Sequence, residues 1–135
     1  MQSISSLFVA PSSLGGRGVF TTEEIKKGSI VEICPVIVLP ETDRSHLDQT
    51  KLHDYYFIWG DADEQCAIIL GFGSIYNHSY QPNAEYNPDF PGKTLSFYAL
   101  EKIKAGSEIT VNYNGTPSEQ SDLWFAAKEN PGAPS

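Results

Sequence analysis

Short runs of β-branched and aromatic residues recur along this chain, each cut off within a few residues by glycine, proline or a polar turn. Such spacing restricts the fold to a mostly-β domain of short strands. Strands are expected over residues 6–10, at Val19-Phe20, and over 29–39, 54–59, 67–70 and 109–112. Residues 84–87 and 94–99 flank a turn-rich 88–93 and should pair as a hairpin. Pro35 interrupts the 29–39 run, which predicts either two strands or one kinked edge strand. Residues 22–28 form a short turn with a glycine stop. Residues 40–50 are polar and fit a loop or a short helix equally well.

At 135 residues the chain has the size of one domain and can bury a core by itself. Its net charge of −8 argues against autonomous nucleic-acid binding, which needs a basic patch to displace counterions. The same charge favours a basic partner such as a Lys/Arg-rich peptide, although solubility alone would account for it as well. No stretch approaches the length of a membrane span, and no membrane contact is expected. Residues 1–6 lack a basic segment and a long apolar core, so no signal peptide is expected, and the location expected is cytoplasmic, or nuclear if the source is a eukaryote or a eukaryotic virus.

Cys34 and Cys66 each sit in an apolar run, far from each other, and fit buried free thiols in a reducing compartment. Two cysteines cannot make a Cys₃ or Cys₄ zinc site. Asp61, Asp63 and Glu64 start like a calcium loop but lack its glycine and its closing glutamate. His46 and His53, with Asp43, Asp48 and Asp54 close in sequence, fit a solvated face far better than a metal site. No metal is expected.

The texture changes at residues 71–83, directly after the apolar Ala67-Ile68-Ile69-Leu70. Gly71 and Gly73 bracket Phe72 and let the backbone bend sharply. Asn77, His78 and Ser79 then stand among Ile75, Tyr76 and Tyr80, and Gln81-Pro82-Asn83 forces a turn. Buried polar groups in such a setting must find partners or cost a few kcal/mol each. Alone, the stretch is most simply a polar turn between two strands. Two other stretches alter that reading: Gly15-Gly16-Arg17-Gly18-Val19-Phe20 near the start, and Gly106-Ser107-Glu108-Ile109-Thr110-Val111-Asn112-Tyr113 near the end.

In order and spacing the three blocks resemble the SET domain, the fold of most protein-lysine methyltransferases. Its pattern is G-x-G, then N-H-S-x-x-P-N, then G-x-E-[IL]-x-x-x-Y. The glycine block is weak alone; the other two together are specific. The resemblance covers about residues 7–113 and is strongest to the minimal viral and bacterial SET proteins. It implies one SET domain over 1–135, with 114–135 as a short flanking segment lacking the zinc-binding Cys-rich extension. It implies a SET fold of the β-clip type: small sheets, short helices and a C-terminal pseudoknot, in which the segment ending in Tyr113 threads a loop made by the Asn77 region. Rules against threaded connections would not have suggested this.

The activity implied is transfer of a methyl group from S-adenosylmethionine to a lysine ε-amine of a histone tail or another basic protein. By the resemblance Tyr113 is the catalytic tyrosine, with Tyr55 the best-placed wall of a lysine channel and Tyr56 and Tyr76 as further candidates. Gly16, Arg17 and Gly18 would meet the cofactor through main chain, and Asn77 and His78 would hold its amino group and adenine. Asn83 and Glu108 would pin the knot. Trp124 or Phe125 would stack on adenine or close the channel, a hydrophobic anchor being an equal alternative. The similar viral enzymes work as dimers, so a homodimer is also expected. The chain departs from the pattern at Tyr80, where Cys is frequent, at Asn112, where Asp or Ser is frequent, and at Ser107, where Glu is frequent. None of these removes a group that would touch the reactants. The alternative is a SET-fold module that has lost turnover and only binds a basic peptide.

Overall fold

A computed structural model of the protein describes residues 2–60 and 64–113. Along them run β1 (Gln2–Ser3), β2 (Leu7–Pro11), β3 (Arg17–Thr21), β4 (Ile30–Leu39), α1 (Glu41–Leu47), a 3-10 turn (Lys51–Asp54), β5 (Phe57–Trp59), β6 (Gln65–Ile69), β7 (Asn77–His78), β8 (Ala84–Asp89), β9 (Thr94–Ala99) and β10 (Glu108–Val111). One sheet has the order β5-β6-β4-β9-β8, with β1 also on β4; the other has the order β2-β3-β10-β7.

The expected 84–99 hairpin forms, with Ala84 opposite Ala99 and Asp89 opposite Thr94. β9 obeys the two-residue period of a strand: Leu95, Phe97 and Ala99 are buried while Thr94, Ser96 and Tyr98 are half-exposed. Pro88 is accommodated because β8 is an edge of its sheet.

Pro35 neither breaks β4 nor marks an edge. β4 is a continuous 10-residue strand in the middle of the sheet. Residues 30–35 pair with β9 and residues 36–39 with β6, so the proline sits at the handover between partners. Its carbonyl accepts from Leu70 N at 3.0 Å, and the β6 register starts only at Val36, so no N–H is missed there.

The polar 40–50 stretch contains α1, whose first turn carries Glu41 and Asp43 and whose last carries Arg44 and His46, the arrangement a helix dipole favours. The 3-10 turn follows, with the Thr50 side chain accepting from Leu52 N at 3.1 Å. This turn takes up Asp54, with Tyr55 as its C-terminal cap, so the expected strand over 54–59 shrinks to Phe57–Trp59.

Two similar turns lie back to back. Ile25 and Ile103 exchange main-chain hydrogen bonds of 2.8 Å in both directions. Each isoleucine is followed three residues later by a glycine with left-handed backbone, Gly28 at φ 82° and Gly106 at φ 84°. Both isoleucines join a core that includes Val19, Val31, Leu95, Phe97, Ile109 and Val111.

β10 runs between β3, to which it is antiparallel, and β7, to which it is parallel. Asn83 fastens it further: its Nδ2 donates to Glu108 O at 2.8 Å and its Oδ1 accepts from Thr110 N at 2.9 Å. The last strand is thus enclosed by the N-terminal hairpin and the 77–83 segment.

Candidate active site

Three chain segments distant in sequence converge beside the end of β10. Tyr113 follows β10, Tyr76 leads into the parallel neighbour β7, and the glycines lie in the turn before β3 (Gly16) and at the start of β3 (Gly18).

Tyr113 is held at both ends by the central segment. Its N–H donates to His78 Nδ1 at 3.0 Å, and its hydroxyl donates to the Tyr76 carbonyl at 2.5 Å. Its own carbonyl accepts from the Tyr86 hydroxyl at 3.2 Å. The ring lies 6.5 Å from that of Phe57 and 5.2 Å from that of His78, centroid to centroid. Burial, and then the fields of Tyr86, Tyr55, Glu108 and Asp54, push the Tyr113 hydroxyl far above the ordinary phenol range. Tyr113 is therefore a neutral phenol at physiological pH, a hydrogen-bonding group rather than a base.

His78 accepts at Nδ1, which places the proton of the neutral ring on Nε2. Burial lowers its pKa and keeps it neutral. Nε2 is buried and meets no partner among the described residues. The His78 and Tyr80 rings are perpendicular, with centroids 4.4 Å apart. A buried donor without a partner is rare, and a ligand acceptor would satisfy it.

The glycine loop is tied to the same place by a closed circuit. Asn77 Nδ2 donates to Arg17 O at 3.0 Å and to Glu108 Oε2 at 2.7 Å. Glu108 Oε1 accepts from Ser12 Oγ at 2.6 Å, and Ser12 Oγ accepts from Leu14 N at 2.9 Å. The glycines serve two different needs here. Gly16 has a left-handed backbone, φ 57°. Gly18 is required by space, since a Cβ on it would lie 2.2 Å from Glu108 Oε2.

Asn77, His78, Tyr113 and the Gly16–Gly18 segment are thus brought together, and Tyr55 lies near enough to influence the Tyr113 hydroxyl electrostatically. Two of the expected channel walls point elsewhere. The Tyr56 hydroxyl donates to Asp48 Oδ1 at 2.8 Å with Arg44 over its ring, so it belongs to the α1 packing. The Tyr76 side chain is buried in the core, 1% exposed, and only its carbonyl faces Tyr113. Trp124 and Phe125 lie outside the described residues. Tyr86 was missed by the sequence reading. Burial raises its pKa to about 12, and its inward position two residues from buried Ala84 was available from the strand period. Ser12 carried no local signal, because its partner lies at the other end of the chain.

Comparison with known proteins is consistent in direction. The sequence model of the SET domain family matches residues 16–114. A histone-lysine N-methyltransferase of Schizosaccharomyces pombe, specific for H3 lysine 37, is 31% identical over 122 residues, 90% of this chain and 78% of that protein. The crystal structure of a proposed histone methyltransferase of Plasmodium falciparum superposes with a TM-score of 0.61 at 30% identity, over 82% of this chain and 98% of that one. A Polycomb Repressive Complex 2 chain of Chaetomium thermophilum, bound to S-adenosylmethionine, shares the fold at TM-score 0.70 and 19% identity. The match takes in 83% of this chain and 16% of that much longer one.

Proposed function

The chain belongs to the SET domain family, and from that membership we infer that it is a protein-lysine methyltransferase using S-adenosylmethionine, with Tyr113 at the transfer site. The observation that supports the assignment of Tyr113 is its double attachment, amide to His78 and hydroxyl to the Tyr76 carbonyl, which fastens a neutral phenol to the segment that carries Asn77 and His78.

The residues present fit the cofactor. The main chain of Gly16, Arg17 and Gly18, with Asn77 and His78, would hold it, and His78 Nε2–H, which meets no partner among the described residues, offers a donor to a ring nitrogen or carboxylate. When bound, S-adenosylmethionine supplies an electrophilic methyl group on a sulfonium. The protein must then deliver a neutral amine. Lysine has a pKa near 10.4, so about one in 2,500 carries the free lone pair at pH 7. A channel edged by Tyr55, Phe57, Tyr86 and Tyr113 would disfavour the ammonium by desolvation. The Tyr113 hydroxyl would orient the amine so that nitrogen, methyl and sulfur align, a positioning effect that can supply much of the barrier reduction.

The substrate we propose is a lysine in a basic protein, a histone tail first, since the Schizosaccharomyces pombe relative is named for H3 and this chain carries −8. Such a substrate favours the nucleus over the cytoplasm. The test is transfer of label from methyl-labelled S-adenosylmethionine to core histones by the wild-type protein and by Tyr113→Phe. Label on a histone lysine with the first and not the second supports the assignment; cofactor binding without transfer to any basic protein would favour a binding module instead.

A further inference from the structure

We propose that Glu32 and the Tyr76 hydroxyl form a buried pair that positions the Tyr76 carbonyl, and through it the Tyr113 hydroxyl, making Glu32 and Tyr76 positioning residues for methyl transfer. The inference rests on the function proposed above.

Glu32 is 0% exposed, in the first half of β4. Its Oε1 accepts from the Tyr76 hydroxyl at 2.7 Å, and its Oε2 accepts from Phe72 N at 3.0 Å. Both donors belong to the turn over residues 71–76, so one carboxylate clamps the turn at two points. The Tyr76 ring is further fixed by stacking on Phe97, with centroids 4.4 Å apart and planes at 29°. Its tip is held by Glu32, its face by Phe97, and its carbonyl takes the Tyr113 hydroxyl. Gly73 lies so close to the strands below that a Cβ would meet Ile69 Cγ2 at 2.0 Å and Cys34 Sγ at 3.3 Å. The turn therefore rests directly on β4 and β6, and its height over the site is set there.

A buried carboxylate is a poor device for stability alone, because an apolar replacement of similar volume is often as stable or more so. What the pair adds is direction. The hydroxyl has one acceptor it must reach, so the tyrosine cannot rotate or slide without leaving a buried carboxyl oxygen without its donor. Burial and the neighbouring Glu32 push the Tyr76 hydroxyl far above its ordinary range, so it stays a donor at every physiological pH. The carbonyl at the other end of the same residue inherits that fixed position. A misplacement of about 1 Å at a reacting group can cost ~10² in rate, so a tether at this point matters to turnover more than to binding.

The experiment compares wild-type protein, Tyr76→Phe, and Tyr76→Phe with Glu32→Gln. Phe preserves the ring volume but strands the carboxylate; the added Gln removes the stranded charge while its oxygen can still accept from Phe72 N. Two readouts are taken. One is turnover on core histones with labelled S-adenosylmethionine, alongside cofactor affinity. The other, in cofactor-free protein, is the ¹³Cζ signal of Tyr113, assigned by its loss in Tyr113→Phe. Both variants should show kcat lowered about 10- to 100-fold, cofactor affinity within about threefold of wild type, and a displaced Tyr113 signal. The double variant should regain melting temperature without regaining kcat or the signal. A Tyr113 signal and kcat that stay at wild-type values, or that return with the melting temperature, would reduce the pair to a structural one. So would failure of both variants to fold. Wild-type protein that transfers no methyl group would sink the proposed function, whereas the Tyr113 signal judges the pair independently of it.

Discussion

Ser12 Oγ and Glu108 Oε1 are separated by 96 positions in the chain and by 2.6 Å in space. The hydrogen bond closes a circuit through Asn77 to the Arg17 carbonyl, so the glycine loop, the central segment and the last strand share one carboxylate. Glu108 thereby joins all three of the blocks that carry the family resemblance.

Ser12→Ala should loosen the glycine loop without unfolding the sheet. A hydrogen bond to a charged group contributes about 1.5–3 kcal/mol. If about half of that is lost preorganisation, S-adenosylmethionine should bind roughly tenfold more weakly. Calorimetry on wild type and variant measures it, and equal affinities would show that the circuit does not shape the cradle.

Tyr113→Phe should lower kcat by at least ~10²-fold, since loss of a hydroxyl acting on transition-state charge typically costs that much. Phe fills the same volume, so cofactor affinity should hold. The melting temperature should drop modestly, because the Tyr76 carbonyl loses a donor. Rapid-quench measurement of a single turnover separates the chemical step from product release; an unchanged rate there would remove Tyr113 from the transfer site.

Gly18→Ala and Gly28→Ala should fail differently. At Gly18 the new methyl group would lie 2.2 Å from Glu108 Oε2 and must displace the carboxylate that holds Asn77. Cofactor binding should be lost. At Gly28 a Cβ meets nothing within 4 Å, but the backbone has φ 82°. The strain there is about 1 kcal/mol, which should lower the melting temperature by about 4 °C and leave binding intact. Paired thermal melts and cofactor titrations distinguish the two, and intact binding in Gly18→Ala would contradict the close approach.

Burial lowers the His78 pKa below its ordinary 6.5. Between the folded value and 6.5 the unfolded chain binds more protons than the native one, so acidification favours unfolding. Stability from this residue is fully present above pH 6.5 and is lost as pH falls through that window toward and past the folded value. Protonation would also compete with the Tyr113 N–H for Nδ1. An NMR titration of the imidazole signals, with His78→Gln for assignment, should show His78 protonating below pH 6.5. A midpoint at or above 6.5 would be inconsistent with a buried neutral ring.

Capture of a basic substrate by a chain of net charge −8 should be steered electrostatically. The Debye length falls from ~10 Å at 0.1 M salt to ~3 Å at 1 M, so kcat/KM on a Lys-rich peptide should fall across that range. A flat profile would assign the acidity to solubility alone.

Patterns of residue type were enough for whatever depends on neighbours along the chain. The alternation of Leu95, Phe97 and Ala99 announced β9 and its hairpin with β8, because a strand repeats every two residues. The turn at Gly28 was marked by its glycine stop, a residue that adopts left-handed backbone freely. Blocks around Gly16, Asn77 and Tyr113 identified the family, since their order and spacing recur in it. Tertiary structure alone decided what depends on which strand lies beside which. Pro35 could be central only because β4 changes partner at that residue. Tyr56 and Tyr76 looked like Tyr55 in sequence, yet the first turns to Asp48 and the second to Glu32. Nothing in the β-prone 29–39 run singles out Glu32, and it is buried because the turn over 71–76 comes to lie on it. Local periodicity reports the face a residue presents, but the partners of Glu32 are supplied by chain 40 and 44 positions away, and no nearest-neighbour preference encodes them.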